Sequence, residues 1–498
     1  MQHQGFIQAI ADDPDNDVHR LVYADWLDDN GDPERAEFIR LECELFPLLV
    51  DENTAPNHWD CPRYYELQEK IAPLYEVNYD EWFSPLFDEL DSEMETQRGF
   101  PHSVSLSGRQ FAERAVELFE QEPTVEQVLI YDLDGYVPEI AASPALASVR
   151  DLQFFETPIL APDMEQFAKS PHLGNMRRLS FAFTDAPSGP DGAKAIANAE
   201  ALTRLEKLDL LNHHIRDEGA IALFQSPRLA TLKTLNLGVN QLYLQSMQEL
   251  TKAEHLCLES LDVSSNQLQS DSIAALAQAE NLRQLKVLDI GANLLERDGA
   301  IELANAEFLP SLRELGLSNC RFDDESLAIV LHAEMHDLIK LHAGNNSFGR
   351  LTSEALAQNH SLKQVRTLGL YQGRFESGLN FENVNLPALR ELALWGSEFE
   401  SGAKIDLLSS ELLQSLHDLG LANCEVSDDE IEVLAKNDAI RNLLSLTLRD
   451  NVITDRGAIA LVESPHLDQI QSLDLQHNSI CNKGVVALRD RFGSRVNV

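Results

Sequence analysis

From about residue 104 onward the chain repeats one hydrophobic phrase. It runs: an apolar residue, any residue, leucine, two variable residues, a small polar residue, one more, then an apolar residue. The clearest copies are Leu235–Leu242, Leu261–Leu268, Leu288–Leu295, Leu446–Ile453 and Leu473–Ile480. Looser copies begin at Val104, Val128, Leu152, Leu179, Leu208, Leu315, Leu341, Leu368, Leu392 and Leu419. About fifteen units recur at roughly 24 to 29 residues, a period that belongs to stacked arrays.

Alternation within the phrase turns its leucines to one face of a short strand and leaves the intervening residues to solvent. The sixth position is asparagine at Asn240, Asn266, Asn293, Asn346, Asn451 and Asn478, while His213, Cys320 and Cys424 take the same slot elsewhere. A short polar side chain there can satisfy backbone groups that a turning chain leaves unpaired. Two residues past the phrase come Asp217, Ser270, Asp324, Asp428, Asp455 and Asn482, residue types expected to cap the helix that follows them. Apolar residues then return at helical spacing, as in Ile221, Leu223 and Phe224. Each unit therefore reads as strand, turn, helix, turn. No unit buries its apolar face alone, so stacking is expected to give a parallel inner sheet with helices outside. Units near Val104–Leu152 and Leu368–Leu392 are shorter, and their outer helix is expected to be lost; Gly373 and Ser397 replace asparagine in the second of these stretches.

Residues 1 to 98 lack the phrase and read as helical. Phe6, Ile7 and Ile10 open one helix and Val18 to Leu27 a second; Gly31 ends it, and Asp32-Pro33 sets a cap and a first-turn proline before a third, Glu34–Leu48. Tyr23, Trp26 and Leu27 fall at core spacing. Arg20, Asp25, Glu37 and Arg40 are expected to form either a structural ion-pair set or a docking face.

The phrase and its period resemble the ribonuclease-inhibitor type of leucine-rich repeat over about four fifths of the chain. The front segment is similar to the repeat-companion domain, which precedes leucine-rich repeats in a set of bacterial proteins. That likeness rests on the run Arg20 to Leu27, Gly31-Asp32-Pro33, Glu37 to Leu41, Trp82 to Leu86 and Arg98-Gly99-Phe100. The resemblance implies an architecture and no reaction. The expected fold is an α/β leucine-rich-repeat solenoid of about 15 repeats over residues 99–498, preceded by a small, acidic, all-α domain over 1–98.

Charge narrows the partners. The chain holds 39 basic and 82 acidic residues, a net charge of −43, and 25 acidic against 6 basic residues fall in 1–98. Such a chain repels phosphate backbones and anionic lipid, so neither nucleic acid nor membrane is expected, whereas a basic protein is steered towards it. The opening residues carry no basic-then-apolar leader, no stretch suits a membrane span, and six scattered cysteines lack CxxC spacing, which together suggest a cytoplasmic address.

Candidate chemistry is sparse. The sequence carries no phosphate-binding loop, dinucleotide fingerprint, zinc helix or nucleophile elbow. Asp28, Asp29, Asn30, Gly31 and Asp32 lack the calcium-loop spacing, and His213-His214 point to opposite faces of a strand. No enzyme activity, cofactor or metal is expected. Binding is expected on the concave sheet, in a trough from Gly238 to Gly344 gripped by Tyr371 and Trp395. Arg449, Asp450, Asp209, Asp262 and Asp289 line the same face and favour a basic partner. Regulation of a GTPase and structural self-assembly are the alternative roles; the oligomeric state is left open.

Overall fold

The computed structural model describes residues 2–50, 61–182, 186–376, 381, 384–400 and 402–498. Its contacts divide the chain into two units. One runs to residue 215 and includes 225–232; the other comprises 216–224 and 233–498.

The first unit begins with four helices, α1 (Gln2–Asp12), α2 (Asp17–Asp29), α3 (Pro33–Val50) and α4 (Pro62–Trp82). Asn16 caps α2 by accepting the Val18 amide, and Asp32 accepts the Arg35 amide at 3.1 Å at the start of α3. Gly31, between them, sits at φ 95. Tyr23, Ala24, Leu27, Ile39 and Phe100 form the core here, with Trp26 packed partly against it.

The front segment is not wholly helical. Its last residues form strand β1 (Met94–Gln97), antiparallel to β2 (Phe100–Leu106). The hairpin turns through Arg98 and Gly99 at φ 55 and 88, the paired positive φ values that a two-residue hairpin requires. Gly99 lies so close to α3 that a Cβ would come within 2.6 Å of Ile39 Cγ1. Its carbonyl accepts from Arg35 Nη2 and its amide donates to Glu42 Oε2, both at 2.7 Å. The Arg35 guanidinium also lies over the rings of Phe38, Trp82, Phe83 and Phe100. The Trp-Phe and Arg-Gly-Phe motifs thus form one buried hub.

From β2 onward the strands are parallel and in register at the phrase's first residue. The pairs run Val104↔Val128↔Leu152↔Leu179↔Leu208 in the first unit. In the second, Leu235 pairs Leu261, and the register continues through Leu288, Leu315, Leu341, Leu368, Leu392, Leu419 and Leu446 to Leu473. The central leucine is buried and its strand neighbours turn away from the core. With helices following the strands, the fold is the expected α/β leucine-rich-repeat solenoid.

The two shortened stretches behave differently. Between Leu368 and Leu392 no helix occurs among the described residues. Arg374–Phe375 instead pairs with Ser347–Phe348 and Glu398–Phe399 in a small three-stranded sheet, whose Phe348, Phe375 and Phe399 rings pack 4.9 and 4.6 Å apart. The early repeats, expected to lose their helices, keep them at Gly108–Gln121 and Val137–Ala142. The first saves residues in its turn: Ser107 follows β2 directly and caps the helix in a reciprocal box with Gln110.

The asparagine slot works between repeats as well as within them. Asn266 Oδ1 accepts the amides of Asn240 and Leu242 from the preceding repeat at 2.9 and 3.0 Å. Its Nδ2 donates to Leu237, Val263 and Ser264 carbonyls at 2.9–3.0 Å. Asn293, Asn346 and Asn451 repeat the arrangement. The residue just before the slot stands in the left-handed region at Ser265, Ala292, Asn319, Asn345, Gln372, Asn423, Asp450 and His477, with φ between 51 and 61. Those amides and carbonyls would otherwise be buried without partners.

The aspartates after the phrase, expected to cap the helices that follow them, do not. Each reaches to the next repeat. Asp217 accepts the Tyr243 amide, Asp324 those of Gly349, Leu351 and Thr352, Asp428 those of Thr454 and Gly457, and Asp455 those of Cys481 and Gly484. Asp324's own helix is capped by its neighbour Asp323. Asp324, Asp428 and Asp455 are the first residues of their helices and Asp217 the second, and their side chains reach across the stack instead of to their own helix's free amides.

Candidate binding surface

The residues that flank each buried leucine form an exposed sheet face. On the second unit's face, Tyr371 and Trp395 occupy the fourth position of neighbouring phrases. Their rings stack with centroids 4.5 Å apart and planes 1° from parallel. The Tyr371 hydroxyl lies 2.9 Å from Ser318 Oγ, which fixes the ring's reach across two strands. Beneath it are Gly344 and Gly369, where a Cβ would come within 2.5 and 3.1 Å of ring carbons. Trp395 remains 41% exposed. On the next strand a Cβ at Gly420 would meet only ordinary contacts, with Ala393 Cα 3.7 Å away.

This alters the expected trough. Glycine at 344 does not leave a gap; it admits the Tyr371 ring, so Tyr371 lies over the trough's end instead of standing beside it. The sequence shows the small residue and the aromatic but not which strand the ring crosses.

The predicted acidic residues serve the turn first. Asp209, Asp262 and Asp289 each accept the amide two residues on, from Leu211, Ser264 and Gly291 at 3.0, 2.8 and 2.8 Å. Asn236 and Asp474 do the same, which accounts for the residue type at this position. Asp209 belongs to the first unit and the other two to the second. Burial, followed by the charge of Asp262, raises the Asp289 carboxyl above its ordinary range. Arg449 and Asp450 form a local set: Nε lies 3.2 Å from Asp450 Oδ2, and Nη2 donates to His477 Nε2 at 3.3 Å.

Glu391 and Asp418 stand just before the phrase, outside the pattern that marks the exposed positions. They are cross-strand neighbours on the same face. Burial, then the Glu391 charge, pushes the Asp418 carboxyl up to about 6. Together with Asp289 and Glu314 they give the face a negative character, opposed locally by Lys340, 3.3 Å from Glu314.

The histidine and the two cysteines that stand in the asparagine slot are structural. His213 is fully buried, with Nε2 2.7 Å from the Phe181 carbonyl and Nδ1 3.0 Å from Ser188 Oγ, and burial holds its pKa below the usual imidazole range. The Cys320 thiol, pushed by burial up to about 12, donates to the Ile290 carbonyl; Cys424 donates to that of Leu394. Both cysteines do the asparagine's donating work. In the front segment, Arg40 binds Asp25 and Asp28 at 2.7 Å, whereas Arg20, expected in the same set, is buried and donates to the Pro14 carbonyl. Among the described residues no group of three or more His, Cys, Asp and Glu is placed to hold a metal ion, and no helix is long and apolar enough to cross a membrane.

The sequence profile of the Leucine Rich repeat family matches residues 202–224, 255–277, 439–462 and 470–488. No curated protein matches the chain. Solved leucine-rich-repeat structures resemble it. An internalin (inlF) from Listeria monocytogenes is 18% identical with a TM-score of 0.43, over 71% of this chain and 87% of that one. The mouse RP105/MD-1 complex gives 19% and 0.44, over 80% and 69%. The TLR13–ssRNA13 complex gives 15% and 0.38, over 79% and 61%.

Proposed function

We propose that the chain is a non-catalytic protein-binding scaffold whose contact is made by the exposed sheet face around Tyr371 and Trp395, for a basic partner. The observation that carries this reading is the Tyr371–Trp395 stack. Trp395, 41% exposed, is stacked on a Tyr371 ring that the Ser318 hydrogen bond holds in place, and so offers contact area at little entropic cost. Carboxylates at Asp289, Glu314, Glu391 and Asp418 on that face, and the net charge of −43, select positive charge. The acidic front segment, residues 1–98, is a separate module in this reading. Six scattered cysteines, all free thiols, fit a reducing, cytoplasmic setting.

The test is affinity capture from native cytosol at low and moderate salt, with wild-type chain and the Tyr371→Ala/Trp395→Ala variant as paired baits. A basic protein retained by wild type, released by salt and lost by the variant supports the reading. Equal retention on both baits refutes it.

A further inference from the structure

Helix α2 of the front segment buries Arg20, Tyr23, Ala24 and Leu27 on one side. Its opposite side carries an apolar stripe that the described residues leave open: Val18, Leu21 and Val22 are 61, 40 and 48% exposed. Their spacing, i, i+3 and i+4, places them together on the first two turns. The same face continues into Asp25, Asp28 and Asp29, all exposed. An apolar patch that grades into carboxylates along one helix is the complement of an amphipathic segment with a basic end.

The surrounding charge fixes the sign of the occupant. Residues 1–98 hold six cations. Arg20, Arg35 and Arg98 are buried, and Arg35 is spent on the Gly99 hub. Arg40 is held by Asp25 and Asp28, Arg63 by Glu44 and Glu66, and Lys70 by Glu66. Among the described residues of the segment every surface cation is therefore already engaged, and from beyond it only Arg114 and Arg177 reach in, to Glu89 and Asp15, so carboxylates remain in excess. A second copy of this chain would bring the same negative surface against itself, and an anionic membrane would be repelled likewise. We infer that the outer face of α2, at Val18, Leu21 and Val22, docks a basic amphipathic helix of a protein partner, at a site separate from the Tyr371–Trp395 face.

The test uses the full chain and fluorescence anisotropy. The probe is a labelled synthetic peptide with leucines at i, i+3, i+4 and i+7 and lysines elsewhere; its control is a scrambled peptide of the same composition. Wild type is expected to bind the patterned peptide at least about tenfold tighter than the scrambled one, because apolar anchors add to charge only when they align. Val18→Ser/Leu21→Ser/Val22→Ser should erase that preference, and Asp25→Asn/Asp29→Asn should weaken both peptides and flatten the salt dependence. Val22→Arg, a single surface change that adds like charge, should do the same as the triple variant if that variant fails to keep the wild-type circular dichroism spectrum. The preference should survive in Tyr371→Ala/Trp395→Ala. Equal binding of the two peptides by wild type, or a preference unchanged in both α2 variants, overturns the inference. So does a dimer in sedimentation that the α2 variants abolish, or a preference lost only in the aromatic variant.

Discussion

Asn266→Ala removes more from this fold than its size suggests. The side chain is buried, and its two polar atoms serve five backbone groups: the Asn240 and Leu242 amides of the preceding repeat, and three carbonyls. The carbonyls each keep a second lone pair and can recover part of their bonding, so the count rests mainly on the two amides. A buried amide left without an acceptor costs about 1–3 kcal/mol, and the lost donor bonds add less, which gives about 3–5 kcal/mol in all. Urea unfolding followed by circular dichroism measures the sum. Hydrogen exchange locates it: Asn240 and Leu242 amides should lose protection ahead of their neighbours, although neither belongs to the mutated repeat. A loss below about 1 kcal/mol, or exchange that quickens only around residue 266, would show that the asparagines do not couple repeats.

Three further outcomes follow from the same geometry. Asp428→Ala should cost about 1–2 kcal/mol, and deprotection should appear at Thr454 and Gly457, one repeat on, not in the helix that Asp428 begins. Gly99→Ala places a Cβ 2.6 Å from Ile39 at φ 88; a loss of about 3 kcal/mol, confined to the first unit in hydrogen exchange, is expected, and a neutral effect would disprove the hub's tightness. Asp418, with its folded pKa raised to about 6, binds its proton more tightly folded than unfolded. Its contribution is present below about pH 4 and is lost as pH rises through 6; Asp418→Asn should therefore stabilise by about 1–3 kcal/mol at pH 8 and by nothing at pH 4, and an equal gain at both would rule out charge burial as the cause.

The repeat register was fully legible, because a leucine that must point inward every repeat leaves a period no other fold imposes. The phrase starts became aligned strand positions in each unit, Val104 to Leu208 in the first and Leu235 to Leu473 in the second. The slot residues were legible in kind, since few side chains can both donate and accept there. Direction was harder. A sequence places Asp324 beside its own helix, but the nearest free amides lie one layer away at Gly349 and Thr352. Lateral packing was also hidden: nothing in the phrase says that Tyr371 crosses to Ser318, or that Gly344 exists to admit its ring. Arg20 looked like a surface charge because it stands among Asp17 and Asp25, whereas the helix turns it inward towards the Pro14 carbonyl.

The aspartates that cap forward give the array a grammar for growth. The repeat of Asp455 supplies half of a contact to its successor and receives the other half from its predecessor: Asp428 reaches Gly457, and Asp455 reaches Gly484. A duplicated repeat brings both halves with it, so the insertion leaves no helix uncapped at either seam. A repeat copied from elsewhere, with a larger residue at the receiving glycine, would break the seam on one side only. Lengthening by copies of that repeat thus keeps its seams capped, while splicing in foreign ones does not.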